Sequence, residues 1–176
     1  HFIELCNQRN IPLLFLQNIT GFMVGTEAER GGIAKHSAKL VYAMATARVP
    51  RLTVLIGGSY GAGNYGMCGR GFAPNFLFAW PNSRIATMSP EVATTVLTEL
   101  RKGSLKGNSG DAELAELARE TTDQFTRQSD PYYATARLWD DGIIEPGQTR
   151  DVLGLCLQLV AQATPRATGP SPVFRM

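Results

Sequence analysis

Residues Val54 to Met67, with the sequence VLIGGSYGAGNYGM, decide the fold. The apolar run from Leu52 to Ile56 is short, rich in β-branched residues and closed by glycine, which predicts a buried strand. Five of the next ten residues are glycine, so the backbone there can adopt positive φ angles and approach a ligand without Cβ interference. Exposed N–H groups at such a strand-to-helix turn are suited to stabilising a developing negative charge.

The segment Gly57 to Gly61 also matches G-x-S-x-G, the nucleophile motif of α/β-hydrolases. That mechanism needs a general-base histidine, which follows the serine along the chain in that fold. The two histidines of this chain, His1 and His36, both precede Ser59. The order of residues therefore argues against a serine hydrolase.

The segment Gly61 to Gly66 matches G-x-G-x-x-G, the dinucleotide-binding fingerprint. The fingerprint requires a long helix directly after the glycines. Here Gly69, Gly71 and Pro74 end any helix within about two turns. The third interpretation of this loop is an oxyanion hole made of backbone amides, which the rest of the chain must support.

Composition limits the classes of function. The chain has 176 residues, 44% of them hydrophobic and 18% charged, which is typical of one globular domain. Its net charge of +2 and the absence of a basic run argue against nucleic acid as a partner, and no apolar run approaches the ~20 residues of a membrane span. Three widely spaced cysteines without metal-ligand spacing indicate reduced thiols. Because the chain starts at His1, we expect a piece of a longer protein.

Strand and helix patterns alternate along the chain and predict an α/β layer fold. An apolar run at Leu13–Leu16 predicts a strand buried on both faces, and a helix with Leu40, Met44 and Ala45 on its apolar face predicts a parallel crossover to the strand at Leu52. The remaining predicted segments are a loop over 18–32, helix 33–48, strands 76–80 and 84–88, helices from Pro90, over 111–127, from Asp130 and over 152–163, and an exposed connection over 102–110.

Several long motifs, in one order, resemble the C-terminal half of biotin-dependent acyl-CoA carboxyltransferase β subunits. The similarity is greatest to the 3-methylcrotonyl-CoA carboxylase branch, and the geranyl-CoA and short-chain carboxylase branches stay open as alternatives. The motifs are NITGFMVG at 18–25, GGIAKH at 31–36, the run over 56–69, WPNSR at 80–84, ARLWDDGIIEP at 136–146 and FRM at 174–176.

The resemblance implies a crotonase-like (ClpP/crotonase) ββα-superhelix fold and carboxyl transfer from carboxybiotin to an acyl-CoA. In this family backbone amides stabilise the oxyanions of the biotin and thioester enolates, which agrees with the glycine loop. By motif position, the catalytic amides are those of Ala62 and Gly63. It also implies biotin contacts by Gly21, Phe22, Met23, Tyr60 and Gly61, and contacts by Asn64 and Tyr65 that shape the substrate site.

Each of these positions also has a structural interpretation. An apolar loop pair such as Phe22 and Met23 is more often part of the core than of a ligand pocket, and Tyr65 is equally typical of plain packing. His36 is expected to be structural or at an interface, and Cys68 to be a buried thiol. Asp140 and Asp141 are expected to form a turn before Gly142.

The resemblance further predicts the assembly. Residues 1–164 are expected to form the C-terminal carboxyltransferase domain and residues 165–176 a tail, with the N-terminal domain absent from this chain. We expect a homo-oligomer, a hexamer in the usual case, with an active site shared between subunits and a biotin-carrying α subunit as partner, and no metal. The expected compartment is the bacterial cytoplasm or the mitochondrial matrix, with a role in leucine catabolism.

Two further classes remain. A crotonase-fold hydratase or isomerase would need a glutamate at the active loop, and none lies between Ile56 and Gly71. The intact Ala62-Gly63 pair argues against a non-catalytic scaffold subunit. One departure from the family pattern leaves that class open and weakens the choice of 3-methylcrotonyl-CoA: Ser89-Pro90 stands where the branch carries two glycines, which removes positive-φ freedom. Glu91 beside it is expected to stabilise a helix N-terminus.

Overall fold

A parallel sheet organises the chain in a computed structural model that describes residues 1–103 and 110–162. Strand β2 lies in the centre, with β1 on one side and β3 on the other, while β4 pairs with the last residues of β2. All of these pairs are parallel, as alternating strands and helices predict. The strands are β1 (Leu13–Ile19), β2 (Arg51–Tyr60), β3 (Phe76–Ala79) and β4 (Arg84–Ala86).

Helices cover both faces of β2. Met44 of α3 is fully buried with Ile3 of α1 and Phe15 of β1 on one side. On the other side Leu52 and Val54 of β2 pack with α8. The helices are α1 (Phe2–Gln8), α2 (Thr26–Arg30), α3 (Ile33–Thr46), α4 (Gly61–Gly66), α5 (Pro90–Lys102), α6 (Gly110–Gln128), α7 (Pro131–Thr135) and α8 (Thr149–Gln162), with 3₁₀ turns at Arg70–Phe72 and Pro146–Gln148.

The parallel β1–α3–β2 unit confirms the predicted crossover, but the predicted burial of β1 on both faces is wrong. Leu13 and Phe15 are buried, whereas Leu14 and Leu16 are 47% and 48% exposed. Among the described residues β1 pairs only with β2, and helices cover only one of its faces. An apolar run therefore could not distinguish this strand from the central strand β2.

Several predicted boundaries also change. Strand β2 continues through the glycines to Tyr60, because Gly58 and the two residues after it pair with β4 and keep the ladder intact. Strand β1 reaches Ile19, and α2 forms within the predicted loop. Helix α3 ends at Thr46 and buries Ala43 in place of the predicted Ala45. The predicted connection over 102–110 and the tail fall largely outside the described residues.

Helix α5 begins at Ser89-Pro90, where the sequence departs from the family pattern, and Ser89 does not adopt a positive φ angle. Ser89 is extended (φ −66°, ψ 156°) and caps the helix, accepting a hydrogen bond from Val92 N at 3.3 Å, and Pro90 occupies the first helical position. Hydrogen bonds from its own N–H and from Ser89 hold the pKa of Glu91 below its usual value, as expected at a helix N-terminus. The Ser-Pro pair therefore starts this helix without strain.

Ser89→Ala is expected to speed hydrogen exchange at the Val92 amide about fivefold, since a lost N-cap costs about 1 kcal/mol. The measurement is hydrogen exchange with mass spectrometry on the full-length subunit. Ser37→Ala is the matched control, because the Ser37 hydroxyl donates only to Ile33 O within α3 and caps no N–H. Equal exchange in both variants would contradict the capping role.

In the part of the chain that the structure describes, no helix is both long enough and apolar enough to cross a bilayer.

Candidate active site

The turn between β2 and α4 carries two unpaired amides, one on the exposed residue Ala62 and one on the buried residue Gly63. Gly61 turns the chain with φ +57°, and a Cβ there would lie 3.1 Å from Thr87 O. Ala62 and Gly63 follow in the first turn of α4, where N–H groups have no partner within the helix. Across residues 1–103 and 110–162, no backbone carbonyl or side chain accepts these two N–H groups. Both N–H groups therefore lack an acceptor within the described residues.

The loop after β1 lies directly against this turn. A Cβ added to Gly63 would lie 3.0 Å from Gly21 Cα and 3.0 Å from Ile19 Cδ1, so the two backbones touch. Gly21 itself has φ +121°, a conformation that favours glycine. The structure thus brings together the two regions to which the resemblance assigned the oxyanion hole and the biotin contact.

The apolar residues of the predicted site differ in exposure. Met23 is 71% exposed, so its interpretation as a core residue is wrong. Phe22 is half-buried, and its ring end lies 3.1 Å from the Cβ position of Gly66 on α4. Tyr65 is 51% exposed and packs one edge against Phe72, with ring centroids 6.0 Å apart. Met23 and Tyr65 therefore present free surface on the loop after β1 and on α4.

A buried polar network beneath α4 was not predicted from the sequence. Gln17 of β1 is fully buried; its Nε2 donates to Met67 O at 2.6 Å and its Oε1 accepts from Ser59 Oγ at 2.5 Å. Asn64 Nδ2 donates to Ser59 Oγ at 2.8 Å and lies 3.5 Å from Gln17 Oε1. We refer to Gln17, Ser59 and Asn64 as the Gln17 network. A single glutamine within an apolar strand was the available signal.

This network fixes the roles of two residues that motif matching left open. Ser59 is fully buried with its hydroxyl committed to Gln17, so it is not an exposed nucleophile. The side chain of Asn64 is committed to the same network, because its Nδ2 donates to Ser59 Oγ. Asn64, predicted to shape the substrate site, thus directs its amide nitrogen towards the core.

Tyr60 lies at the end of β2 with its ring over Gly58, where an added Cβ would be 2.8 Å from Tyr60 Cε2. Burial raises the pKa of the Tyr60 hydroxyl above its ordinary value of 10.0, Glu91 raises the pKa further, and Arg84 opposes both. Tyr60 is therefore a neutral hydrogen-bond donor at physiological pH.

The loop before Gly142 is fastened by two carboxylates. Asp140 accepts a hydrogen bond from Gly142 N at 3.0 Å, which confirms its predicted turn role. Asp141 does more than form a turn, because its Oδ2 accepts from Leu77 N of β3 at 2.7 Å and its Oδ1 accepts from Arg70 Nη2 at 2.9 Å. Asp141 thereby joins this loop, the sheet and the segment after α4.

The remaining candidate groups are structural. Cys68 is fully buried, and burial raises the pKa of its thiol, so it is no nucleophile at neutral pH. His36 is exposed on α3, with its ring beside Gly32. Among the residues that the structure describes, no group of three histidine, cysteine or acidic side chains converges as a metal site would require.

Gly69→Ala is expected to lower the free energy of unfolding by about 1–3 kcal/mol through overpacking alone. Gly69 is extended (φ −68°, ψ −179°), which alanine adopts freely, but its Cβ would overlap the side-chain amide of Asn64, whose Cγ would lie 2.4 Å away. Urea unfolding of the full-length subunit measures the change. Gly154→Ala on α8 meets no atom within 4 Å and is the control, expected to be neutral or stabilising.

A double variant tests whether overlap with the Asn64 side chain causes the loss of stability in Gly69→Ala. In an Asn64→Ala background, Gly69→Ala should cost much less, because the overlapping group is gone. Strict additivity of the two substitutions would contradict this explanation.

Comparisons with known proteins identify the family. The model of the carboxyl transferase domain matches residues 1–175. The chain is 58% identical over 180 residues to the biotin-dependent 3-methylcrotonyl-coenzyme A carboxylase beta1 subunit of Mycobacterium tuberculosis, covering 100% of this chain and 34% of that protein.

Solved structures agree with this similarity. The geranyl-CoA carboxylase beta subunit of P. aeruginosa is 47% identical with a TM-score of 0.87, over 99% of this chain and 33% of that one. The transcarboxylase 12S hexamer structure, with hydrolyzed methylmalonyl-coenzyme A bound, is 34% identical with a TM-score of 0.79, over the same shares. The chain thus spans about a third of the length of these relatives.

The similarity covers nearly the whole chain and includes the glycine turn. The structural neighbours are carboxyltransferase subunits, so the predicted crotonase-like fold is confirmed. We conclude from the sequence match, the structural match and the parallel sheet that this chain belongs to the carboxyl transferase domain family.

Proposed function

We propose that the full-length protein containing this chain transfers a carboxyl group from carboxybiotin to an acyl-CoA, with 3-methylcrotonyl-CoA as the substrate. The observation that carries the proposal is the pair of unaccepted N–H groups at Ala62 and Gly63, held at a turn where glycine lets other backbone approach closely. The identity of 58% to a 3-methylcrotonyl-coenzyme A carboxylase beta1 subunit supports the choice of substrate.

The two amides supply the chemistry that removal of an acidic proton from an acyl-CoA requires. Loss of that proton places negative charge on the thioester oxygen, and two fixed N–H donors stabilise this charge without reorganising in the transition state. In comparable sites one such donor is worth about 10²–10³ in kcat. No side-chain acid or base of this chain is needed for that role, which fits the structural roles of Ser59, Cys68 and His36.

The exposed surface of the loop after β1 supports this loop as the place where biotin would bind. Phe22 and Met23 offer apolar atoms for the flat face of a ring, and the positive φ of Gly21 lets the backbone approach without a Cβ. Bound biotin would supply the carboxyl group and take up the proton released from the acyl-CoA. Gly21, Phe22 and Met23 would hold it, with Tyr60 and Gly61 bordering the same turn.

Tyr65 is the proposed determinant of the acyl group. Its half-exposed ring stands on α4 two residues after Gly63, so it can limit the width of a bound chain. A geranyl chain is longer than a methylcrotonyl chain, and the structural neighbour that carries geranyl-CoA in its name is 47% identical. Geranyl-CoA is therefore the second candidate substrate.

The rest of the proposed enzyme lies outside this chain. We place residues 1–164 in a C-terminal carboxyltransferase domain, with residues 165–176 as a tail and an N-terminal domain elsewhere in the full-length subunit. The proposed partners are a biotin-carrying α subunit and further copies of the same subunit in a hexamer like that of transcarboxylase 12S. Three buried free cysteines suit a reducing compartment, the bacterial cytoplasm or the mitochondrial matrix.

The test is carboxylation by the full-length subunit assembled with its biotin-bearing partner. Acetyl-, propionyl-, 3-methylcrotonyl- and geranyl-CoA are offered in parallel, and ¹⁴C-bicarbonate incorporation is measured. We expect turnover of 3-methylcrotonyl-CoA above the other three. Preference for geranyl-CoA would overturn the substrate and keep the reaction, whereas no turnover in a normally assembled complex would favour a scaffold subunit.

A further inference from the structure

The Gln17 network is a set of hydrogen-bonded side chains beneath α4 that the proposed reaction does not use directly. We propose that Gln17, Ser59 and Asn64 are positioning residues, which hold the N–H groups of Ala62 and Gly63 in the direction that an enolate oxygen requires. This inference rests on the proposed function, because it specifies how the chain supports the same two amides.

The hydrogen bonds of the network can run in only one direction. Met67 O can only accept, so the group of Gln17 facing it must be the Nε2 donor at 2.6 Å. Gln17 Oε1 is then the acceptor for the Ser59 hydroxyl at 2.5 Å. The hydroxyl of Ser59, having donated its hydrogen, accepts from Asn64 Nδ2 at 2.8 Å. Because each hydrogen bond has only one possible direction, the network has a single arrangement. Hydrogen bonds linked in this way strengthen one another in a buried setting.

The network holds the turn on both sides of the two amides. Ser59 precedes Ala62 by three residues on β2, and Asn64 directly follows Gly63 on α4. Their side chains bond to each other at 2.8 Å, which closes a loop around the turn. Gln17 anchors that loop to β1 and, through Met67 O, anchors the end of α4 as well. Movement of either amide therefore requires a buried hydrogen bond to break.

The position of the Asn64 side chain also explains why residue 69 is a glycine. Asn64 occupies the space where Gly69 would carry a Cβ, so a side chain there would push Asn64 away from Ser59. Gly69 N in turn donates to Asn64 O at 2.8 Å. Both the backbone and the side chain of Asn64 are thus held in place by residues that touch no substrate.

Ser59→Ala is the principal test, made in the full-length subunit assembled with its biotin-bearing partner. The substitution removes one oxygen atom and both hydrogen bonds that it makes in the network. We expect kcat to fall about 10- to 100-fold, the range for small displacement of reacting groups, with the KM for the acyl-CoA changed less than about twofold. Asn64→Asp, which loses the donor to Ser59, should give the same kinetic signature.

Ser129→Ala is the matched control. Ser129 is as fully buried as Ser59, and its hydroxyl donates to Thr126 O, in a helix that does not carry the two amides. We expect it to lower thermal stability to a similar degree with kcat within about twofold of the wild type. A purely structural role for Ser59 predicts equal kcat values in the two serine variants, which would overturn the proposal.

A double variant and an exchange measurement complete the test. Ser59→Ala combined with Asn64→Asp should lose no more kcat than either alone, whereas additive losses would contradict one shared network. Hydrogen exchange at Met67 and Gly69, whose amides donate to Gly63 O and Asn64 O, should speed about tenfold in Ser59→Ala and not in Ser129→Ala.

The exchange measurement needs no substrate and therefore separates the two proposals. If the wild type carboxylates no acyl-CoA, the proposed function fails, and the exchange contrast still decides whether the network orders the turn. If the wild type is active and the exchange contrast is absent, the positioning role fails and the proposed function stands.

Discussion

Ala62→Pro is expected to lower kcat by about 10²–10³, because proline removes one of the two N–H donors proposed to bind the enolate oxygen. Proline is suited to the first turn of a helix, and Ala62 lies in the first turn of α4. Gly61 before it has no Cβ to clash with the proline ring. Steady-state carboxylation by the full-length subunit with its partner measures the effect.

Ala62→Ser is the matched control for this loss. Ala62 is exposed, so a serine hydroxyl has room, and the backbone N–H is retained. We expect kcat within about threefold of the wild type. If Ala62→Pro assembles normally and keeps wild-type kcat, the assignment of the oxyanion hole to this turn is wrong.

Asp141→Ala is expected to lower the free energy of opening around β3 by about 3 kcal/mol, which corresponds to roughly 10²-fold faster hydrogen exchange at the Leu77 amide. Leu77 is fully buried, and its N–H donates to Asp141 Oδ2 at 2.7 Å. Without the carboxylate this N–H has no acceptor and bears its full desolvation cost. The ion pair to Arg70 adds little, because both side chains are more than a third exposed.

Arg70→Met separates these two contributions. It removes the ion pair and the bond to Trp139 O but leaves the N–H of Leu77 accepted by Asp141. We expect less than about tenfold faster exchange at Leu77 in this variant. An equal effect of the two substitutions would show that the ion pair, not the buried N–H, fastens the loop.

The turn between β2 and α4 could be predicted from the sequence because its cause is local. An apolar run followed by five glycines in ten residues specifies a strand, a sharp turn and accessible amides, and the structure places β2 and α4 there. The parallel crossover through α3 was predictable for the same reason, since hydrophobic periodicity is a property of short segments. The end of β2 was not, because its last three residues are held by β4, which lies more than twenty residues away.

The supporting residues were missed because their partners are distant along the chain. Gln17 and Ser59 are 42 residues apart, and no local pattern indicates that a glutamine in an apolar strand will meet that hydroxyl. The exposure of Leu14 and Leu16 also depends on what lies beside β1, which the apolar run itself does not contain. Ser89 could have been predicted as a helix cap, because serine directly before Pro90 is a local signal for a helix start.

The proposed use of main-chain donors at Ala62 and Gly63 has an evolutionary consequence. Every residue type except proline carries the same backbone N–H, so most codon changes at Ala62 preserve the group that acts. Neighbouring positions such as Tyr65 can then diversify under selection for a new acyl chain while the reaction itself is inherited unchanged. Mutational robustness of this kind allows one turn to serve a lineage of carboxylases with different substrates.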